Sequence, residues 1–143
     1  MSTPQCIITL GSGKRVDAQI GSFTIHTDQP VAGGGEGSAP APYSLFMASI
    51  GTCAGFYVQS FCSSRGLSTD GIRIEQRWLS DEATHTLLSV ELDIIVPPTF
   101  PEQYRAALVR VADQCTVKKA IAAQPKFNVQ TVVSAHVAAG AAA

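Results

Sequence analysis

The chain has 143 residues, of which 45% are hydrophobic and 15% are charged, and its formal net charge is −1. A chain of this length and composition is expected to form a single domain over residues 1–143, with a hydrophobic core large enough to fold without disulfides. Its near-neutral charge gives no electrostatic reason to expect a nucleic acid or an anionic membrane as a partner.

The N-terminus lacks the basic start and the long apolar run of a secretory signal, so a cytoplasmic location is expected.

Three short strands are predicted in the first part of the chain. They cover Cys6 to Leu10, Arg15 to Ile20 and Phe23 to Thr27, and Gly21-Ser22 suits a tight turn between the second and third. The glycine-rich run at 33–37 predicts a mobile loop. It does not suit a phosphate-binding loop, because no Gly-Lys-Ser follows it.

The longest uncharged stretch runs from Gly37 to Ser64. Polar residues interrupt it too often for a membrane span of ~20 apolar residues, so a buried helix is the better interpretation. This central helix is predicted to begin near Ser44, after Pro40 and Pro42 have kept the chain extended, and to end at Gly66.

Two strands and a second helix are predicted after the central helix. Ile72, Ile74 and Trp78 fall on one face of a fourth strand, and residues 89–94 alternate between polar and apolar side chains as a half-buried strand does. A capping-box spacing at Thr99 and Glu102 predicts a second helix.

That second helix is predicted over Tyr104 to Gln114, leading to Cys115. Phe127 to Val133 is predicted to be the last strand, and the alanine-rich end, His136 to Ala143, is expected to be frayed. The sequence therefore predicts an α+β fold with a long central helix and a second helix.

Four cysteines lie at positions 6, 53, 62 and 115, and in a reducing compartment we expect them to be thiols. Cys62 lies about 180° around the central helix from Cys53, so the two cannot pair within that helix. A buried cysteine is most often only a small apolar side chain. Helical spacing surrounds Cys53 with Phe46, Ser49, Ile50, Phe56, Tyr57 and Ser60.

A reactive cysteine requires a thiolate. Lowering a thiol pKa from ~8.5 by about two units takes ~2.7 kcal/mol. One cation at ~4 Å, in an effective dielectric of ~20, supplies ~4 kcal/mol, so a single arginine is sufficient. Lys14 and Arg15 are the candidates in the N-terminal half. The alternative that both are solvated residues at a turn remains open.

Two motifs resemble those of the OsmC and organic hydroperoxide resistance family. The first is Ala41-Pro42-Tyr43-Ser44-Leu45-Phe46-Met47-Ala48-Ser49-Ile50-Gly51-Thr52-Cys53, and the second is Cys115-Thr116-Val117-Lys118-Lys119-Ala120. The resemblance implies an intertwined α+β homodimer with two sites at the subunit interface, each holding both cysteines of one chain. It also implies that Cys53 reacts with peroxide and that Cys115 is the resolving thiol.

The chain departs from this family at three places. Family peroxidases usually carry a glutamate after the proline of the first motif, where this chain has Tyr43 and Ser44. Glu36 in the glycine-rich loop is a candidate replacement for that carboxylate, and Arg15 loosely matches the family's arginine. Thr116 stands where a proline commonly follows the second cysteine.

The resemblance implies a hydroperoxide reductase that uses two cysteines, an organic hydroperoxide and an external dithiol reductant, with no metal or organic cofactor. A second hypothesis is a dimer whose apolar interface pocket binds a small hydrophobic ligand while the cysteines are inert. A third is a dimeric scaffold without a ligand. A metal site is least expected, because His26, His85 and His136 show no ligand spacing with one another or with the cysteines.

Overall fold

The computed structural model describes residues 3–134 and contains five strands and three α-helices in that range. The first three strands form an antiparallel sheet in the order β1-β2-β3: β1 (Ile7–Leu10), β2 (Val16–Ile20) and β3 (Phe23–Thr27). The predicted strands agree with these bounds to within one residue. Gly21 has a φ of 56°, which a tight turn between β2 and β3 requires and glycine adopts at low cost.

The central helix α1 (Pro42–Ser64) has 23 residues. Pro42 occupies its first position, where the missing N–H costs no hydrogen bond. The helix ends just before Gly66, which has a φ of 64° and lets the Leu67 N–H bond back to the Cys62 carbonyl at 2.9 Å. Its length and composition alone would permit a membrane crossing, a property that core helices of soluble proteins share.

A second antiparallel sheet consists of β4 (Arg73–Ser80) and β5 (Leu87–Ile95). Strand β4 of this sheet comes close to α1 at Gly51. A Cβ atom at Gly51 would lie 2.6 Å from Gln76 Oε1, so the glycine leaves the room that Gln76 needs. The Gln76 side-chain amide donates to the Met47 carbonyl at 2.9 Å and joins strand to helix.

The helix α2 (Arg105–Ala112) follows a 3-10 turn at Glu102–Tyr104, and α3 (Thr116–Ala122) follows α2. The observed helix α2 is thus shorter than the helix predicted over Tyr104 to Gln114, and α3 was not predicted. The proposed capping box is also wrong, because Pro101 precedes the first turn and no side chain caps it. The hydrophobic core lies between α1, α2 and the segment after β5, and it consists of Val58, Phe61, Cys62, Phe100 and Leu108.

The predicted strand at Phe127 to Val133 is wrong in this structure. The segment has no regular secondary structure, and the side chains of Phe127 and Val129 are 86% and 95% exposed. A strand needs a neighbour that takes up its backbone hydrogen bonds, and within the single chain this segment is paired with neither sheet. The predicted frayed end, His136 to Ala143, lies outside the described residues.

Candidate functional site

The structure brings Cys53 and Cys115 together from two different helices. Cys53 lies half-buried in the middle of α1, whereas Cys115 is 2% exposed and caps the N-terminus of α3. The backbone of Cys115 is not helical, with φ of −50° and ψ of 125°. This residue therefore separates α2 from α3 and forms the N-cap of α3. Its sulfur accepts a hydrogen bond from the Lys118 N–H at 3.5 Å.

Hydrogen bonding lowers the pKa of Cys53 below that of an ordinary thiol. The largest contribution comes from the backbone N–H of Val117, and the next comes from the thiol of Cys115. Burial acts in the opposite direction, and the Thr116 N–H adds a smaller lowering contribution. Donors that face a sulfur favour its charged form, so the first turn of α3 makes Cys53 the more acidic of the two thiols.

Burial raises the pKa of Cys115, and the neighbouring Cys53 sulfur raises it further despite the Lys118 N–H. The Cys115 thiol has a single proton and two acceptors in reach, the Cys53 sulfur and the Ile50 carbonyl at 3.9 Å. A thiolate accepts more strongly than a neutral carbonyl, so ionisation of Cys53 draws that proton toward itself. The arrangement pairs a thiol of lowered pKa at Cys53 with a neighbouring thiol of raised pKa at Cys115.

Arg15 and Glu36 form a separate ion pair with a distance of 2.5 Å between Nη2 and Oε2. The guanidinium also donates to the hydroxyls of Ser12 at 3.0 Å and Ser38 at 3.1 Å. These contacts do not include Cys53, so the cation expected beside the thiolate does not reach it within one chain. Backbone N–H groups lower the thiol pKa there instead.

A buried carboxylate that the sequence did not suggest organises the loop between β3 and α1. Asp28 is 1% exposed and accepts hydrogen bonds from the N–H of Glu36 at 3.3 Å and from the hydroxyl of Ser38 at 2.6 Å. The Ser38 bonds in particular lower the pKa of Asp28 to about 2. The glycine-rich loop is thereby tied down and presents Glu36 and Ser38 to Arg15. The only sequence signal was an acidic residue directly after a predicted strand.

Lys14 plays no part in the hydrogen bonds or ion pairs found at Cys53 in residues 3–134. Cys62 lies fully buried in the core, and burial raises the pKa of its thiol. Cys6 is exposed near β1. Within the same described range, no cluster of three or more histidine, cysteine or acidic side chains is placed to hold a metal ion.

Tyr57 connects α1 to α3 one helical turn beyond Cys53. Its hydroxyl lies 3.0 Å from the Thr116 hydroxyl, and either group can donate. Helical spacing had placed Tyr57 on the face of Cys53, but its partner could not be read from a local pattern.

An apolar cavity of about 600 Å³ opens beside Cys115, between β5, α2 and α3. Its walls include Ile50 from α1 and Leu108 from α2, and the charged side chains Arg105, Asp113 and Lys118 also line it. The Lys118 ammonium is held by Asp113 at 2.6 Å. The cavity could accept a small, mainly apolar molecule next to the buried thiol.

Comparison with protein families gives one match: residues 35–130 match the family model described as OsmC-like protein. The matched range contains both cysteines and Glu36, and it begins after Arg15. No curated protein matches the sequence.

Several solved structures share the fold. A candidate osmotic stress induced and detoxification response protein from Psychrobacter arcticus 273-4 superposes with a TM-score of 0.71 and 19% identity, covering 84% of this chain and 89% of that one. An organic hydroperoxide resistance protein OsmC from Legionella pneumophila gives 0.54 and 19%, with coverages of 85% and 91%.

A candidate organic hydroperoxide resistance protein from Vibrio cholerae O1 biovar eltor, with captopril bound in one of its active sites, gives a TM-score of 0.58. Its identity is 20%, and the alignment covers 87% of this chain and 89% of that chain. At these identities the similarity establishes the α+β fold.

Proposed function

The chain belongs to the OsmC-like protein family, and from this premise we propose that it is a thiol-dependent organic hydroperoxide reductase. Cys53 is the attacking thiol and Cys115 is the resolving thiol. The observation that carries the proposal is the position of Cys115 at the N-terminus of α3 against the turn of α1 before Cys53, where its thiol reaches the Ile50 carbonyl at 3.9 Å. In this arrangement the pKa is lowered at Cys53 and raised at Cys115. Such a difference separates a nucleophile from a proton-bearing partner.

In the first step, the Cys53 thiolate attacks the terminal oxygen of the hydroperoxide. The sulfur–oxygen bond forms as the oxygen–oxygen bond breaks, and the leaving alkoxide takes up one proton to become an alcohol. The sulfur is oxidised by two electrons to a sulfenic acid, and the peroxide is reduced by the same two electrons.

In the second step, the Cys115 sulfur attacks the Cys53 sulfenic acid, a disulfide forms and water leaves. Cys53 and Cys115 are neighbours, so we expect this step to need little movement. An external dithiol then reduces the disulfide by exchange and restores both thiols. A reducing cytoplasm is the setting in which we place this cycle.

The Arg15–Glu36 pair is assigned to the same reaction in the partner subunit. Within one chain the pair contacts Ser12 and Ser38 and not the cysteines. In an intertwined homodimer, a guanidinium held by Glu36 would approach the Cys53 of the other subunit and stabilise the thiolate there. Glu36 then replaces the carboxylate that the first motif lacks at Tyr43 and Ser44.

Exposed apolar surface supports the homodimer. Large hydrophobic side chains are exposed on the β1–β3 sheet, on α1 and in the segment after α3: Ile7, Ile8, Leu10, Phe23, Phe56, Phe127, Val129 and Val133. A monomer in water rarely leaves so much apolar surface uncovered. We expect the dimer to bury well over ~2,000 Å² in total, as obligate pairs do.

A ligand-binding function is the second candidate, and the cavity beside Cys115 favours it. Its volume of about 600 Å³ lies within the range of ~300–1,000 Å³ for small-molecule sites. In that case the Cys53 thiol is inert and the cavity holds a small hydrophobic molecule. The Vibrio cholerae protein, with captopril in one of its active sites, supports the same idea for this chain.

Stoichiometric cumene hydroperoxide distinguishes the two functions. Under the reductase proposal, one equivalent converts two free thiols into an intramolecular disulfide, which digestion and mass spectrometry assign to Cys53 and Cys115. If wild type and Cys53→Ser consume the peroxide equally slowly, the reductase proposal is wrong and ligand binding is favoured.

A further inference from the structure

The hydroxyl groups of Tyr57 and Thr116 form a direct link between the two helices that carry the thiols. Tyr57 lies on α1 four positions after Cys53, and Thr116 is the first residue of α3, directly after Cys115. The hydroxyl oxygens are 3.0 Å apart. The Tyr57 ring is half-buried and packs edge to face with Phe56, with ring centroids 5.5 Å apart. A rigid aromatic side chain therefore holds the start of α3.

This link matters because the start of α3 provides the donors for Cys53. The N–H groups of Val117 and Thr116 hydrogen-bond to the Cys53 sulfur, and a shift of the first turn of α3 away from α1 would move both donors off it. Hydrogen bonds weaken steeply when donor and acceptor lose alignment. The Tyr57 hydroxyl bonds to Thr116, one of the two residues that supply these donors, and so opposes such a shift.

We propose that Tyr57 and Thr116 are a positioning pair, whose hydroxyl–hydroxyl bond holds the first turn of α3 against α1 and keeps two backbone donors on the Cys53 sulfur. In the part of the chain that the structure describes, neither hydroxyl hydrogen-bonds to the sulfur of Cys53 or Cys115. The consequence for turnover rests on the proposed reductase function, whereas the consequence for Cys53 reactivity does not.

Few groups affect the acidity of Cys53. In residues 3–134, the groups that alter its acidity are the two N–H donors, the Cys115 thiol and burial. Lys118, in the first turn of α3, is paired with Asp113 at 2.6 Å. A change at Tyr57 therefore acts on Cys53 through the placement of α3, because Tyr57 is not itself one of these groups.

The test measures alkylation of Cys53 by monobromobimane from pH 5 to 9, with the modified cysteine identified by peptide mass spectrometry. Tyr57→Phe removes only the hydroxyl from one side, and Thr116→Val removes it from the other while leaving the N–H in place. Each should slow alkylation at pH 7 by ~3-fold or more, the scale of one hydrogen bond, and move the midpoint to higher pH. Thr116→Ser retains a hydroxyl and should react as wild type does.

Tyr104→Phe is the matched control, because it removes a tyrosine hydroxyl whose ring packs on Phe61 in the core. Its alkylation profile should remain that of wild type. Tyr57→Phe combined with Thr116→Val should be no slower than either single variant, since each removes the same bond. Wild-type alkylation in Tyr57→Phe, or fully additive effects in the double variant, would overturn the positioning pair.

These outcomes are separate from those of the reductase proposal. Alkylation needs no peroxide, so a protein inert toward cumene hydroperoxide can still show the loss in Tyr57→Phe. Conversely, a competent reductase with an unchanged alkylation profile in both single variants would retain the proposed function and lose the positioning pair.

Discussion

The Arg15 Nη2 and Glu36 Oε2 atoms lie 2.5 Å apart, although Glu36 comes from the glycine-rich loop and Arg15 immediately precedes β2. Ser38 completes the arrangement, since its hydroxyl accepts from Arg15 and donates to Asp28. The pair is thus held in place before any substrate or partner arrives. A cation held in this way is preorganised.

Replacement of Cys53 and replacement of Cys115 are expected to have different effects on the reaction with peroxide. Cys53→Ser should abolish peroxide consumption, because the attacking thiolate is lost. Cys115→Ser should still allow one oxidation per site and leave a sulfenic acid that dimedone traps. Peroxide consumption and intact mass with dimedone measure the two outcomes. Trapping at Cys115 in the Cys53→Ser protein would reverse the assigned roles.

Mixed dimers test whether Arg15 acts on the partner subunit. Arg15→Ala and Cys53→Ser subunits are co-expressed with different affinity tags, and the mixed dimer is purified through both. If Arg15 acts across the interface, one of the two sites contains an intact Cys53 and an intact Arg15, so about half the wild-type rate is expected.

Both homodimeric variants serve as controls for that experiment. Arg15→Ala alone should be slow at both sites, and Cys53→Ser alone should be inactive. A mixed dimer no faster than half the Arg15→Ala rate would show that Arg15 does not act on the other subunit.

Asp28 is expected to make stability depend on acid pH. Its folded-state pKa of about 2 lies below the ~3.9 of an unfolded chain, so its contribution is present above pH ~4 and is lost as the pH falls through about 2. Asp28→Asn should therefore lower the melting temperature most near neutral pH, and the difference from wild type should shrink toward pH 2. Asp70→Asn, at an exposed aspartate, is the control. A difference that stays constant from pH 7 to pH 2 would contradict the linkage.

Gly35→Ala is expected to disrupt the loop that carries Glu36. A Cβ atom at Gly35 would lie 2.0 Å from the Gln29 carbonyl oxygen and 2.7 Å from Asp28 Oδ1, so the backbone itself must shift. We expect a loss of ~1–3 kcal/mol in the free energy of unfolding and slower peroxide consumption. Denaturant titration measures the first and a peroxide assay measures the second.

Gly33→Ala is the matched control for that loop. A Cβ atom there would lie 3.5 Å from the Pro30 ring, an ordinary contact. The variant should retain wild-type stability to within about 0.5 kcal/mol. Equal losses from Gly33→Ala and Gly35→Ala would show that the Gln29 and Asp28 contacts are not the cause.

Local pattern in the sequence was enough for the elements whose hydrogen bonds close within a few residues. The β2–β3 hairpin and the end of α1 before Gly66 follow from turn chemistry and helical periodicity, so both were predicted close to their observed positions. The predictions failed where the secondary structure of a segment depends on residues far away in the sequence. Phe127 to Val133 has strand-forming residues but pairs with no strand within residues 3–134, and α3 begins because Cys115 turns the backbone.

The sequence by itself determined the family, through two cysteine motifs, and the α+β fold class. Tertiary structure alone decided which groups surround each thiol. The donors from Val117 and Thr116, the Tyr57 hydroxyl and the Asp28 network come from segments far apart in the chain, and neither spacing nor composition encodes their approach. A thiol pKa depends on the atoms within a few ångströms of the sulfur, and folding alone brings those atoms together.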